Sequence, residues 1–140
     1  MRMIGRLSIA AFTGLLATLG AHAENESHQL QVEINTVESV QNRCRMTFLV
    51  ENKRDQAVES LKLDLVIFDT NNTMQRRTLI ELAPIRPAKT MIRTFDIEQD
   101  CSKIGAVLVN DVTACSPGDA GTCLDQLGLS SRVPSIRIFK

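Results

Sequence analysis

The sequence predicts an all-β domain built as two packed sheets, and three observations lead there. Short apolar runs, six to eight of them, recur at spacings of roughly ten residues between clusters of turn residues, the rhythm of a sandwich and not of alternating strands and helices. Within most runs apolar and polar side chains alternate, which gives each run one face for a core and one for solvent. No segment longer than about one turn carries a helical period of apolar residues.

Residues 59–70, ESLKLDLVIFDT, read as the central strand. Leu61, Leu63, Leu65 and Ile67 make one wholly apolar face, while Lys62, Asp64, Val66 and Phe68 make a second that turns apolar halfway. The five small polar residues Asp69 to Thr73 then favour a reversal, because such side chains bond to nearby backbone.

The chain before this strand begins with Arg2 and Arg6, an apolar run of 13 residues from Leu7 to Leu19, and Ala21-His22-Ala23. A positive head, a short greasy middle and an A-x-A end are the parts of a cleavable secretory signal over residues 1–23, too short to span a bilayer. Residues 24–140 are then expected as a single exported domain carrying 14 Lys and Arg against 16 Asp and Glu, a net charge of −2. That balance offers no basic stripe for phosphates, so nucleic acid and anionic membrane are excluded as principal partners. Residues 24–29 are polar and expected to fray. Leu30, Val32 and Ile34 form a first strand, residues 36–42 connect onward, and Cys44, Met46, Phe48 and Val50 mark the inner face of a second. Residues 52–56 are a charged turn.

After the central strand, residues 74–82 carry the adjacent Arg76 and Arg77. Pro84 and Pro87 make residues 83–88 a crossing loop or an edge, because proline donates nothing to a ladder. Residues 89–98 form a strand with Met91, Phe95 and Ile97 on one face; residues 104–112, nearly continuously apolar, form one covered on both sides. Residues 124–129, LDQLGL, read as one helical turn, and Ile136, Ile138 and Phe139 as an edge strand marked by Pro134.

All four cysteines, Cys44, Cys101, Cys115 and Cys123, lie in the exported part, and an even number in an oxidising compartment reads as two disulfides. Their spacings of 57, 14 and 8 contain no C-x2-C metal knuckle. Three pairings exist. Strand parity places Cys44 and Cys101 at the same end of the sandwich, and Cys115 and Cys123 are near enough in sequence to close their own loop.

Val50-Glu51-Asn52, the LVIFDTN of residues 65–71, the proline-broken loop and the Thr94-Phe95-Asp96-Ile97 strand end resemble the FxLYD type of immunoglobulin-like domain of exported bacterial proteins. The resemblance covers about half of residues 24–140 and implies an immunoglobulin-like β-sandwich of about seven strands. The sequence departs from the pattern in Phe68-Asp69 where Tyr-Asp is usual, in Pro87-Ala88 at the turn, and in its four cysteines and long tail. The whole chain also resembles small uncharacterised exported proteins of α-proteobacteria. Neither resemblance carries a catalytic residue.

The available chemistry is sparse. Outside the signal the one histidine is His28, near the new terminus, which leaves nucleophilic hydrolysis without a base. Asp64 with Asp69, or Asp96 with Glu98, are acid pairs in sequence, and the latter pair falls on the outer face of a strand. Residues 69–72 have the start of a calcium loop but lack its sixth-position glycine and closing Glu, so a turn is the reading. Asn25 and Asn71 stand in glycosylation patterns relevant in a eukaryote. Met46, Met74 and Met91 are soft ligands in type, with strand alternation placing Met46 and Met91 in the core. Neither Trp nor Tyr is present to stack on sugars or bases.

No biochemical activity is identified by these residues. Elimination leaves a periplasmic or secreted, non-enzymatic accessory or protein-binding module without metal or cofactor, offering a sheet edge to a protein of the cell envelope. The candidate edges are the Arg76-Arg77 strand and Ile136, Ile138 and Phe139. The alternative is a periplasmic metal carrier or redox protein using Met and Cys, which requires free thiols or retained metal.

Overall fold

The computed structural model describes residues 28–140. The expected signal segment and the Asn25 glycosylation pattern lie outside the described residues. Eight strands are present: β1 (Leu30–Val40), β2 (Arg43–Asn52), β3 (Ser60–Asp69), β4 (Met74–Glu81), β5 (Lys89–Ile97), β6 (Ile104–Ser116), β7 (Leu127–Ser131) and β8 (Arg137–Phe139). One short helix, α1 (Ala120–Gln126), joins β6 to β7. The first sheet has the order β5-β2-β1-β7 and the second β4-β3-β6-β8. They pack face to face as a β-sandwich.

The core is what alternation predicts. Leu30, Val32 and Ile34 from β1, Met46, Phe48 and Val50 from β2, and Leu61, Leu63, Leu65 and Ile67 from β3 are all fully buried. β3 is central to the second sheet, with β4 on one edge and β6 on the other. Gly105 lets the start of β6 approach the end of β3, since a Cβ there would sit 2.6 Å from the Asp69 carbonyl oxygen.

Two motif residues of the sequence fix the connections. Asn52, at the end of β2, donates from Nδ2 to the carbonyls of Gln56 and Arg86 at 2.9 and 3.1 Å and accepts from the Arg54 amide at 3.0 Å. One buried amide thereby ties the residue 53–56 turn to the proline-broken crossing loop. Asp69 accepts the amides of Asn71 and Thr73 at 2.9 and 2.8 Å, and Asn72 takes a left-handed φ of 62°. Asn tolerates that conformation through local bonding of its short side chain.

Three expectations are corrected. Residues 36–42 are not a connector: β1 continues to Val40 past a register shift after Ile34. The helical turn starts earlier than residue 124, capped by Asp119, whose carboxylate accepts the Thr122 amide at 2.9 Å. Leu127–Ser131 is instead a strand, whose five residues with Gly128 among them show no strand period in the sequence. That glycine lies against β1, where a Cβ would come within 2.8 Å of the Gln31 side chain. The start of the domain is also held, since the Lys53 amide donates to the Gln29 carbonyl at 2.9 Å.

Odd and even strands run in opposite senses within each sheet, so the two parallel pairs, β1 with β7 and β6 with β8, join odd to odd and even to even. The disulfides link Cys44 to Cys101 and Cys115 to Cys123, spanning 57 and 8 residues. The first crosses from the start of β2 to the turn before β6; the second fastens α1 to the end of β6. In the chain-entropy view the longer closure restrains the unfolded chain more. Replacing Cys44 and Cys101 by alanine is expected to lower unfolding free energy in urea by about 4 kcal/mol, against about 2 to 3 for Cys115 and Cys123. The reverse order would count against this assignment of the main staple.

Candidate functional site

The two open sides of the sandwich are built differently. On the β7 and β8 side, the Lys140 ammonium donates to the carbonyl oxygens of Leu124, Asp125 and Leu127 at 2.7, 2.8 and 2.8 Å. A cation on the last carbonyls of a short helix satisfies acceptors that the helix leaves unpaired. Cys123 and Leu127 are buried beneath it. Ile136 is 1% exposed and belongs to the core, although it is one of the residues read from sequence as a partner edge. Ile138 and Phe139 are half-buried in β8; the Phe139 ring lies 6.4 Å from that of Phe68, with the Arg137 guanidinium 4.3 Å above it. This side is closed by β8, α1 and the Lys140 side chain.

On the β4 and β5 side the crossing loop covers one end of the gap, with Leu82 and Ile85 fully buried and Ile85 bridged to Val58, and the rest carries no cover of that kind among the described residues. Polar bridges cross it: Arg76 Nη1 donates to Glu98 at 3.0 Å, and Arg93 Nη2 donates to the Pro84 carbonyl at 2.9 Å. Beside the Arg76–Glu98 bridge lies a cavity of about 210 Å³ lined by Arg76, Arg77, Thr78, Asp96, Ile97 and Glu98. The Arg76 Nε within this seam is buried without a hydrogen-bond partner. The exposed large apolar side chains among the described residues are Met74, Leu79 and Ile92, at 58%, 64% and 62%. Met74 and Leu79 are on β4 and Ile92 on β5, so all three lie on the two edge strands of this side, with Leu79 on the outward face of one sheet and Ile92 on the outward face of the other.

The outward face of the second sheet adds a charged cluster. Asp64 is 1% exposed despite pointing away from the core. Its carboxylate accepts Arg77 Nε at 2.7 Å, Arg77 Nη2 at 2.6 Å and Asn110 Nδ2 at 2.7 Å. The fork of the Arg77 guanidinium holds the Asp64 carboxyl below the ordinary carboxylate range, against the opposing effect of burial, with Asn110 assisting. Arg77 itself remains 63% exposed. Neighbouring strand positions carry Leu79 across from Asp64 and Phe68 across from Met74. The result is an apolar strip along β4 and β3 interrupted by one guanidinium.

Other residues singled out in the sequence are dispersed. Arg76 and Arg77, adjacent in the chain, project to opposite faces of β4: the first into the seam, the second onto the outer face. Asp69 is engaged with its own turn, and Asp96 is held below its usual range by the Arg45 guanidinium at 2.9 Å. Glu98 pairs with Arg76. The acid pairs of the sequence are therefore each divided among separate partners. Met46 is core, Met91 half-buried and Met74 exposed. Among the described residues no three His, Cys, Asp or Glu side chains gather as metal ligands, and every cysteine is in a disulfide. Sequence reasoning marked Arg77 but missed Asp64 as its partner and Leu79 as its neighbour. The available signal was Asp64 itself, a charge in the middle of a strand otherwise turning apolar.

No protein-family model matches the chain, and no curated protein matches its sequence. Among solved structures the fold is similar to that of IrmA from Escherichia coli, with a TM-score of 0.54 and 12% identity, covering 74% of this chain and 91% of that one. At that identity the likeness concerns the fold alone. Among the described residues no helix is long and apolar enough to cross a membrane.

The Asp64 cluster makes stability pH-dependent in a definite direction. A carboxyl whose pKa is lowered on folding contributes stability above its unfolded value of about 3.9, and that contribution is lost as pH falls through the lower folded value. Urea unfolding of Asp64→Asn is expected to show a stability loss of about 1 to 3 kcal/mol at pH 7. The difference from the parent should shrink as pH falls below about 4. A constant difference down to pH 2 would assign the loss to packing and not to the ion pair.

Proposed function

We propose that the protein is an exported, non-enzymatic protein-binding module of the periplasm or extracellular space, and that it binds through the β4 and β5 side of the sandwich. The observation that carries this is the asymmetry of the two sides. One is closed by Lys140, α1 and a disulfide. The other leaves two sheet edges unpaired, and the exposed large apolar side chains among the described residues lie on those two edge strands, Met74 and Leu79 on β4 and Ile92 on β5. Sheet edges with apolar side chains attract other chains, and proteins that do not use them ordinarily blunt them with charge, proline or cover.

The compartment rests on the secretory-signal pattern of residues 1–23 and on two disulfides, which persist in oxidising surroundings. The exported immunoglobulin-like domains that the VEN and LVIFDTN segments resemble supply a setting of the same kind. With all four cysteines paired, the metal-carrier or redox alternative has no free thiol to draw on among the described residues.

A photo-crosslinking residue at Leu79 in the full-length chain, expressed in its own cells, is expected to capture another protein. The same residue at Ser135, exposed on the closed side, is expected to capture none. Equal capture at both positions, or capture only at Ser135, overturns the assignment of the binding side.

A further inference from the structure

Resting on the binding role proposed above, we infer that β4 is a docking rail for an extended segment of another protein. The segment adds to the second sheet as a fifth strand, with an acidic side chain over Arg77 and an apolar one over Leu79.

The backbone supplies the first part. The Leu82 amide donates to the Leu61 carbonyl of β3 at 3.0 Å. Strand alternation then turns the amides of Ile80 and Thr78 toward β3 and those of Leu79 and Arg77 away from it. β4 has no neighbour on that outer edge. From Arg76 to Glu81 its pairing with β3 is regular, with no proline, lysine or bulge to turn a new strand away. Eight residues is also a usual strand length, whereas β8 has three and β7 five, on the side that α1 and the Lys140 side chain close. β5 is the other edge of adequate length, but its Arg93 is spent on the Pro84 carbonyl, and one large apolar side chain, Ile92, stands exposed on it.

The side chains supply the partner's chemistry. On the outer face of β4 an incoming strand meets Met74, Arg77 and Leu79 in turn. Arg77 uses Nε and Nη2 on Asp64, and Nη1 has no acceptor among the described residues. A carboxylate opposite Nη1 completes the guanidinium with a charge-assisted bond. Cross-strand neighbours are the unit of sheet recognition, so apolar residues opposite Leu79 and Met74 flank that acid. Leu79 is two positions from Arg77, so the incoming strand needs an apolar residue two positions from its acid; on the other flank Met74 is three positions away, past the register shift, and the match there is looser. Basic character agrees with the acid: β4 and β5 together carry Arg76, Arg77, Lys89 and Arg93 against Glu81 and Asp96, on a domain whose described residues balance.

The test uses the full disulfide-bonded protein and synthetic eight-residue strands, the length of β4. One strand has valine, glutamate and valine at alternate positions with threonine between; a second replaces glutamate with lysine; a third is the first with N-methylated amides. The glutamate strand is expected to slow hydrogen exchange at the Arg77 and Leu79 amides. It should bind at least about fivefold more tightly than the lysine strand, the difference between opposite and like charges across a strand pair. The N-methylated strand should not bind. Leu79→Pro removes an outward amide and is expected to abolish binding; Leu79→Lys keeps that amide, spares the fold and is expected to weaken it. Equal affinity for the glutamate and lysine strands, protection on β5 instead of β4, or self-association through β4 overturns the inference. If the Leu79 crosslink in cells persists alongside such a result, the binding role stands and only the acidic strand is lost; if both fail, the role fails with it.

Discussion

β3 is hydrogen-bonded on both edges and buried along its inner face, and the sandwich is assembled on that constraint. Four consecutive inward side chains, Leu61, Leu63, Leu65 and Ile67, are fully excluded from water, each worth about 1.5 to 3 kcal/mol relative to exposure. A register slip of one residue would put Lys62 and Asp64 in the core in their place, which fixes the pairing of β4 and β6 against β3. The ends of β3 are held by carboxylates. Glu81 accepts the amides of Leu61 and Ala83 at 2.8 and 3.0 Å, and Asp69 organises the turn to β4.

On the outer face of the same strand, Asp64 shows how a charge is kept where solvent barely reaches. Three donors satisfy its oxygens, so the desolvation that would raise its pKa is offset by hydrogen bonds to the charged form. The pair is asymmetric: the carboxylate is covered and the guanidinium is largely exposed. Arg77 is therefore oriented by a rigid partner while keeping one side toward solvent. A fixed guanidinium loses less freedom on binding than a mobile one, which is why a preorganised arginine suits recognition.

The two sides of the sandwich divide closure from availability. Closing the β7 and β8 side combines local and distant contacts: Lys140 reaches α1, Cys115 reaches Cys123, and β7 returns from far along the chain to lie parallel with β1. The opposite side is covered at one end by the crossing loop with its buried Leu82 and Ile85, and elsewhere carries the Arg76–Glu98 and Arg93–Pro84 bridges and a small polar cavity. Both bridges sit at or near the surface, where such interactions contribute little to stability. Their effect is to span the seam without covering the edges that bound it.

Much of this was legible in residues 30–112, because a strand with one buried face writes its period into the chain. The all-β class, the central strand, the reversal at Asp69 and the crossing at Pro84 and Pro87 follow from local preferences of side chain and backbone. The later part was less legible: Gly128 is chosen by the approach of β7 to Gln31, and a five-residue strand with a glycine at its second position has no period to read. Which arginine meets which acid depends on partners 13, 22 and 51 residues away, and that Ile136 is core while Leu79 stands exposed depends on how the sheets meet. Alternation along a strand assigns side chains to faces, but the identity of the edge strands and what covers them is set only when two sheets close on each other.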